Sequence, residues 1–193
     1  MLIDATRLAK IPVMSLQTGG QLAMTKAPVI DPRNLTILAY ELDGPNLDIK
    51  PAFLLISDIR ELSNLGLIVD SSDEFVGLSD VIKLEEVYNF GFELIGKKVT
   101  DENNHKLGQV DGYSIEPTSF MIKQLNVRRP LLKSFTDTEL IIDRTQIVNV
   151  SDDGITVKND EREPEPVKPA AKVYTNPFRG TTAQPEAIDA KKS

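Results

Sequence analysis

The chain contains one histidine, His105, and no cysteine. Any Ser-His-Asp relay or imidazole-held metal must therefore pass through His105. Thiolate nucleophiles, cysteine-bound zinc, cysteine-ligated iron–sulfur clusters and disulfide scaffolds are excluded together. His105 follows Asp101-Glu102-Asn103-Asn104, a run of oxygen ligands of the kind a calcium loop uses. The twelve-residue calcium pattern needs a central glycine and a closing glutamate, but position 106 is lysine and position 112 is glycine. This reads as a polar turn bearing a surface histidine. Asp70, Asp73 and Glu74 have the residue types of an acid–base pair, but carboxylates so close together in a connecting segment read as a solvated acidic face. Gly19-Gly20 and the glycines at 108 and 112 lack both the Lys-Ser/Thr ending of a phosphate loop and the dinucleotide fingerprint, so they read as turn glycines. No catalytic, metal-binding or cofactor-binding residue is expected, and the chain reads as a non-enzyme.

Two segments suit recognition instead. Arg128-Arg129-Pro130-Leu131-Leu132-Lys133 is a basic loop carrying two leucines. Planar guanidinium groups pair with carboxylates or phosphates and exposed leucines add apolar anchoring, which makes Arg128, Arg129, Leu131, Leu132 and Lys133 candidate partner-binding residues. Further on, Tyr174 and Phe178 are the only aromatics after residue 158. They suit a short linear motif that folds onto a partner.

The elements that must position these residues are short strands punctuated by turns, which predicts an all-β chain. The sequence also repeats itself. Shifted by 85 positions, Leu22 meets Leu107, Ile30 meets Ile115, Ile37 meets Ile122 and Pro45 meets Pro130, and the acidic-Pro pair Asp31-Pro32 meets Glu116-Pro117. Beyond Pro45 the offset becomes 88, placing Ile59 on Ile147, Gly66 on Gly154 and Val69 on Val157, so one loop differs in length by three residues. In the second copy strands are predicted at 94–99, 107–115, 120–127, 140–142, 146–150 and 155–157. Between the copies, Val81, Leu84 and Tyr88 recur at helical spacing after Ser79, which predicts a short linking helix with Ser79 as its cap. Five of the twelve prolines fall after residue 158, so that segment is expected to be an extended, disordered tail.

The stretch from Leu94-Ile95-Gly96-Lys97-Lys98-Val99 through Asp101-Glu102-Asn103-Asn104-His105-Lys106-Leu107-Gly108-Gln109-Val110 resembles the opening of the PRC-barrel family. Ile141-Ile142-Asp143 and Asp153-Gly154-Ile155-Thr156-Val157 resemble its closing strands, and Gly19-Gly20-Gln21-Leu22 with Gly66 to Val69 resembles the same pattern more loosely. The resemblance implies two tandem small PRC-like β-barrels: residues 1–78, a degenerate copy, and residues 91–158. A linking helix at 79–90 joins them, and a disordered Pro/charged tail follows at 159–193. It also implies docking onto other macromolecules rather than catalysis. A protein–protein adaptor or assembly factor is expected, with a ribosome-maturation or RNA-processing accessory factor as the alternative and a cytoplasmic subunit of a membrane-associated complex as a third reading.

Composition narrows the partners. The net charge of −7 opposes simple DNA backbone binding, but residues 1–86 carry −6 of it, residues 87–158 carry −1 and the tail is neutral. An anionic partner, RNA included, would therefore prefer the second copy. The chain is 40% apolar and 6% aromatic, enough for a modest aliphatic core. Asp4, Arg7, Lys10 and Pro12 interrupt the N-terminal stretch, and no run approaches the roughly 20 apolar residues of a membrane span. A cytoplasmic protein without direct membrane insertion is expected.

Overall fold

The computed structural model describes residues 1–129 and 139–158, and among these the chain is all-β with one α-helix. The strands are β1 (Ile3–Asp4), β2 (Pro12–Ser15), β3 (Gln21–Asp31), β4 (Thr36–Asp43), β5 (Ala52–Leu55), β6 (Glu61–Ser63), β7 (Gly66–Val69), β8 (Phe75–Gly77), β9 (Lys98–Asp101), β10 (Lys106–Glu116), β11 (Met121–Arg128), β12 (Glu139–Asp143), β13 (Ile147–Val150) and β14 (Ile155–Val157). The helix, α1, is Ile82–Phe90. Hydrogen bonding joins the strands into one sheet, with β1, β5, β8 and β12 off its main path, and the sheet is not closed as a barrel. Met1–Asn159 forms one compact unit, and no described helix is long and apolar enough to cross a membrane. The expected tail at 159–193, with Tyr174 and Phe178, lies outside the described residues, as do Leu131, Leu132 and Lys133.

The two halves are paired alike. β2–β3, β3–β4, β4–β5 and β6–β7 are antiparallel, and β7 returns parallel to β2. β9–β10, β10–β11, β11–β12 and β13–β14 repeat that pattern, with β14 parallel to β9. Adding 85 turns every β3–β4 pair into a β10–β11 pair: Met24↔Asp43 becomes Gln109↔Arg128, and Asp31↔Thr36 becomes Glu116↔Met121. Both bulges also fall at equivalent places, between Thr25/Ala27 and Val110/Gly112, and between Val29/Ile30 and Ser114/Ile115. From β5 onward the offset is 88, since Ala52 opposes Leu42 as Leu140 opposes Val127. The glycines at the first position of β7 and just before β14 show why the pattern persists. A Cβ on Gly66 would lie 2.1 Å from the Pro12 carbonyl oxygen, and one on Gly154 would lie 2.6 Å from that of Lys98. The close parallel return excludes any side chain at either position.

The halves meet at equivalent residues. Met121 pairs with Thr36, its own counterpart under the 85-residue shift. Ile37 N–H donates to the Phe120 carbonyl at 3.1 Å and Ile122 N–H to the Leu35 carbonyl at 2.9 Å, an exchange with local two-fold symmetry. Leu35 and Phe120 both take positive φ, +46° and +52°, turning the chain into the contact. The acidic-Pro pairs staple these turns. Asp31 accepts from Arg33 N–H at 3.1 Å and Arg33 Nε at 3.0 Å, while Glu116 accepts from Ser119 Oγ at 2.7 Å. A single apolar cluster then runs through both halves, including Leu35, Ile37 and Tyr40 from one and Phe120, Ile122 and Leu125 from the other. Tyr40 and Phe120 pack edge to face at 6.4 Å.

The helix differs from its sequence expectation. Its N-cap is Val81, with no side-chain cap bond, because Ser79 lies in a preceding 3₁₀ turn and Asp80 is occupied accepting Gly77 N–H at 2.6 Å. α1 also does more than link. Leu84 and Val87 cover Val29, Ala39 and Phe53 on the outer face of the first half, and Tyr88 packs edge-on against Phe53 at 5.2 Å.

Two outcomes follow. The Tyr40 hydroxyl is buried without a hydrogen-bond partner among the described residues, and burial holds its pKa far above the phenol range. Tyr40→Phe is therefore expected to raise unfolding free energy by about 1 kcal/mol in urea titrations. Asp31 is buried, which alone opposes its charge, but hydrogen bonds from the Arg33 side chain and backbone, with the charges of Arg33 and Lys83, outweigh this and lower its pKa. Its contribution is full above the unfolded value of 3.8 and is lost as pH falls through the lower folded value. Asp31→Asn should cost about 1–2 kcal/mol at neutral pH and nearly nothing in strong acid, measured as unfolding free energy against pH.

Candidate functional site

Lys98, Val99, Thr100, Lys106, Gly108, Gln109, Arg128 and Arg129 line a depression of about 320 Å³ on the second half. The fold assembles it from three strands. β9 contributes Lys98, β10 contributes Lys106 and Gln109, and the end of β11 contributes Arg128 and Arg129. Gln109 stands opposite both Lys98 and Arg128, which brings the outer strands' cations to one rim. Gly108 lets β10 approach β11, since a Cβ there would lie 2.2 Å from the Arg128 carbonyl oxygen. Lys98, Lys106 and Arg128 are exposed and Arg129 is partly buried, and the Arg128 guanidinium pairs with Asp111, both side chains being about half or more exposed. Four basic side chains thus surround a hollow whose floor is the buried Val99.

The first half supplies an internal control. By strand register, Lys98, Lys106 and Arg128 correspond to Pro12, Gln21 and Asp43, and Arg129 follows as the counterpart of Gly44. The backbone is the same, yet a region with one acid and no base becomes one with four bases. Fold maintenance does not ask for these charges, because the first half keeps the identical strand pairing without them.

Arg128 and Arg129 were expected from sequence and are brought together here. Lys97, the other lysine of that strand opening, is drawn elsewhere: its Nζ donates to the Asp152 carbonyl at 2.8 Å and lies 5.0 Å from the centre of the Phe92 ring. Lys106 was missed, although comparing the two copies position by position for changes of charge would have found it. Leu131, Leu132 and Lys133 fall outside the described residues.

His105 is more tightly held than a plain surface histidine. Its Nδ1 lies 2.9 Å from Asp101 Oδ2, and Asp101 Oδ1 accepts from the backbone N–H groups of Asn103 and His105, each at 2.8 Å. Burial opposes the Asp101 charge, but these bonds and His105 outweigh it and lower the pKa. Asp101 is engaged in closing the β9–β10 turn. Ser15 does the same at the equivalent place, its Oγ accepting from Thr18 N–H at 3.2 Å. The pair is thus accounted for by turn geometry. A larger hollow of about 520 Å³, beside Arg33, Asn34, Leu35 and Arg144, is likewise structural. Arg144 is committed to the carbonyls of Asn34 at 2.6 Å and Ile122 at 3.3 Å, and Arg33 to Asp31.

No protein-family model and no curated protein matches this chain.

Because Arg128 and Asp111 are solvent-exposed, their ion pair adds little to stability. Arg128→Ala is expected to move the unfolding free energy by less than about 0.5 kcal/mol in urea titrations, so that any loss of binding in this variant reports on the groove.

Proposed function

We propose that this chain is a non-catalytic assembly adaptor made of two PRC-like barrel modules fused about a local two-fold axis, whose second module docks an acidic segment of a protein partner. One observation carries the reading. Lys98, Lys106, Arg128 and Arg129 converge on one hollow at positions where the first half carries Pro12, Gln21, Asp43 and Gly44. Duplication frees one copy from the duties of the other, and the surviving charge difference lies on a surface the fold does not need. The PRC-like turn pattern agrees with this reading, since docking rather than chemistry unites that family.

The same four cations favour a second reading, an accessory factor for RNA or ribosomal particles, because phosphates suit lysine and arginine equally. The overall charge of −7 and the Asp111 partner of Arg128 weigh toward a discrete acidic protein segment over a long polyanion.

The deciding experiment isolates the tagged full chain from its own cells, as wild type and as Lys98→Glu/Lys106→Glu, with and without RNase. A protein partner that survives RNase and is lost in the double variant supports the adaptor. Recovery that disappears with RNase and falls steeply with salt moves the assignment to RNA. A partner retained equally by the double variant overturns the groove as the docking site.

A further inference from the structure

β5 and β12 are equivalent strands with unequal surroundings. β5 is held on one side by β4 and on the other by β8, in the register Ala52↔Gly77, Phe53↔Val76 and Leu54↔Phe75. β12 has the matching contact with β11, and among the described residues its other edge has no strand. Phe53 is completely buried beneath α1, but its counterpart Ile141 is 59% exposed. The residues of β12 alternate as the fold requires: Ile142 points into the core, and Glu139, Ile141 and Asp143 point out. An edge with an outward isoleucine is a template for strand addition.

The structure points to an occupant of stated chemistry. We propose that the edge of β12 that no described strand pairs receives an extended segment of a partner protein as an added antiparallel strand, carrying an apolar residue against Ile141 and a basic residue two positions to either side. The register of β8 on β5, moved by 88, sets Val76's place opposite Ile141, and Phe75's and Gly77's places opposite Ile142 and Leu140. The next positions on the outward face, those of Glu74 and Leu78, then oppose Asp143 and Glu139. Opposite charges across a strand pair are favourable and like charges are not. A partner strand therefore follows the pattern basic–apolar–apolar–small–basic, which is the β8 segment with both flanks made cationic. A second copy of this chain does not satisfy it. Antiparallel pairing of two β12 strands centred on Ile141 sets Glu139 against Asp143 at both ends. The more polar outer face here, Ser114 and Gln124 in place of Val29 and Ala39, suits an added strand without the covering helix of the first half.

This deepens the adaptor reading with a strand edge that adjoins the cationic groove where Glu139 stands opposite Arg128, and the two are read in separate assays. The probe is a synthetic peptide of residues 71–81 with Glu74→Lys and Leu78→Lys, titrated into the isotopically labelled full chain and followed by nuclear magnetic resonance. Shifts are expected at Leu140, Ile141 and Ile142, and slowed amide exchange at Ile141, whose N–H faces away from β11 as that of Asp143 does in donating to Gln146 Oε1. Affinity should be at least tenfold weaker for the same peptide with glutamate at both flanks, and for the Ile141→Asp chain. Ile141 is an exposed residue, and unchanged dispersion of the remaining spectrum verifies the fold of that variant. Equal binding by Ile141→Asp, or shifts centred elsewhere, overturns the proposal. So does slow exchange of the Ile141 amide before peptide is added, since the edge is then already taken. Concentration-dependent dimers in sedimentation that Ile141→Asp abolishes would assign the edge to a second copy and overturn it as well.

Discussion

Two backbone hydrogen bonds hold the molecule's design together: Ile37 N–H to the Phe120 carbonyl and Ile122 N–H to the Leu35 carbonyl. Each is the image of the other under the internal repeat, and each requires a residue bent to positive φ beside it. That strain is tolerable because the carboxylates of Asp31 and Glu116 fix the turns, and because Leu35, Tyr40, Phe120 and Ile122 are buried together behind them. Neither half could separate without exposing this apolar surface. Arg144 reinforces the junction from one side only, reaching the Asn34 and Ile122 carbonyls, and its counterpart Ile56 has no such reach. β1 adds a further tie, since the N-terminal strand pairs with β10 of the other half, Ile3 against Ile115.

Within that frame the two copies differ in what surrounds them. The first is closed off: β8 takes the edge of β5, and α1 seals Phe53, Val29 and Ala39. The second leaves the equivalent strand edge without a strand among the described residues and gathers cations on the β9–β10–β11 surface. Packing explains the division. Core positions such as Ile30/Ile115 and Ile37/Ile122 are identical because both cores must fill the same space. Rim positions such as Asp43/Arg128 contact mostly water and are free to change sign. Function is therefore to be sought where equivalent positions disagree.

Much of this was legible in the residues. The all-β class, most strands of the second copy and the offsets of 85 and 88 follow from turn glycines, acidic-Pro pairs and the spacing of aliphatic residues, all of which act locally. Arg128 and Arg129 were visible as a basic pair in a loop. The helix was visible too, but its cap was not: Ser79 has the right chemistry, and only the chain's path shows that Asp80 takes the capping task on behalf of Gly77.

The sequence by itself determined that a unit is repeated, where its turns fall and that it carries no cysteine or second histidine, because these are matters of order and composition. Tertiary structure alone decided that the copies meet at equivalent residues, that α1 covers one sheet face and not the other, and that Lys106 joins Arg128 at one hollow. Such facts depend on which strands lie side by side. Lys98 and Arg128 are distant along the chain and share one rim only because β10 lies between β9 and β11, with Gln109 opposite both. A periodic pattern specifies which face of a strand is apolar; it holds no information about what another part of the chain will place beside it.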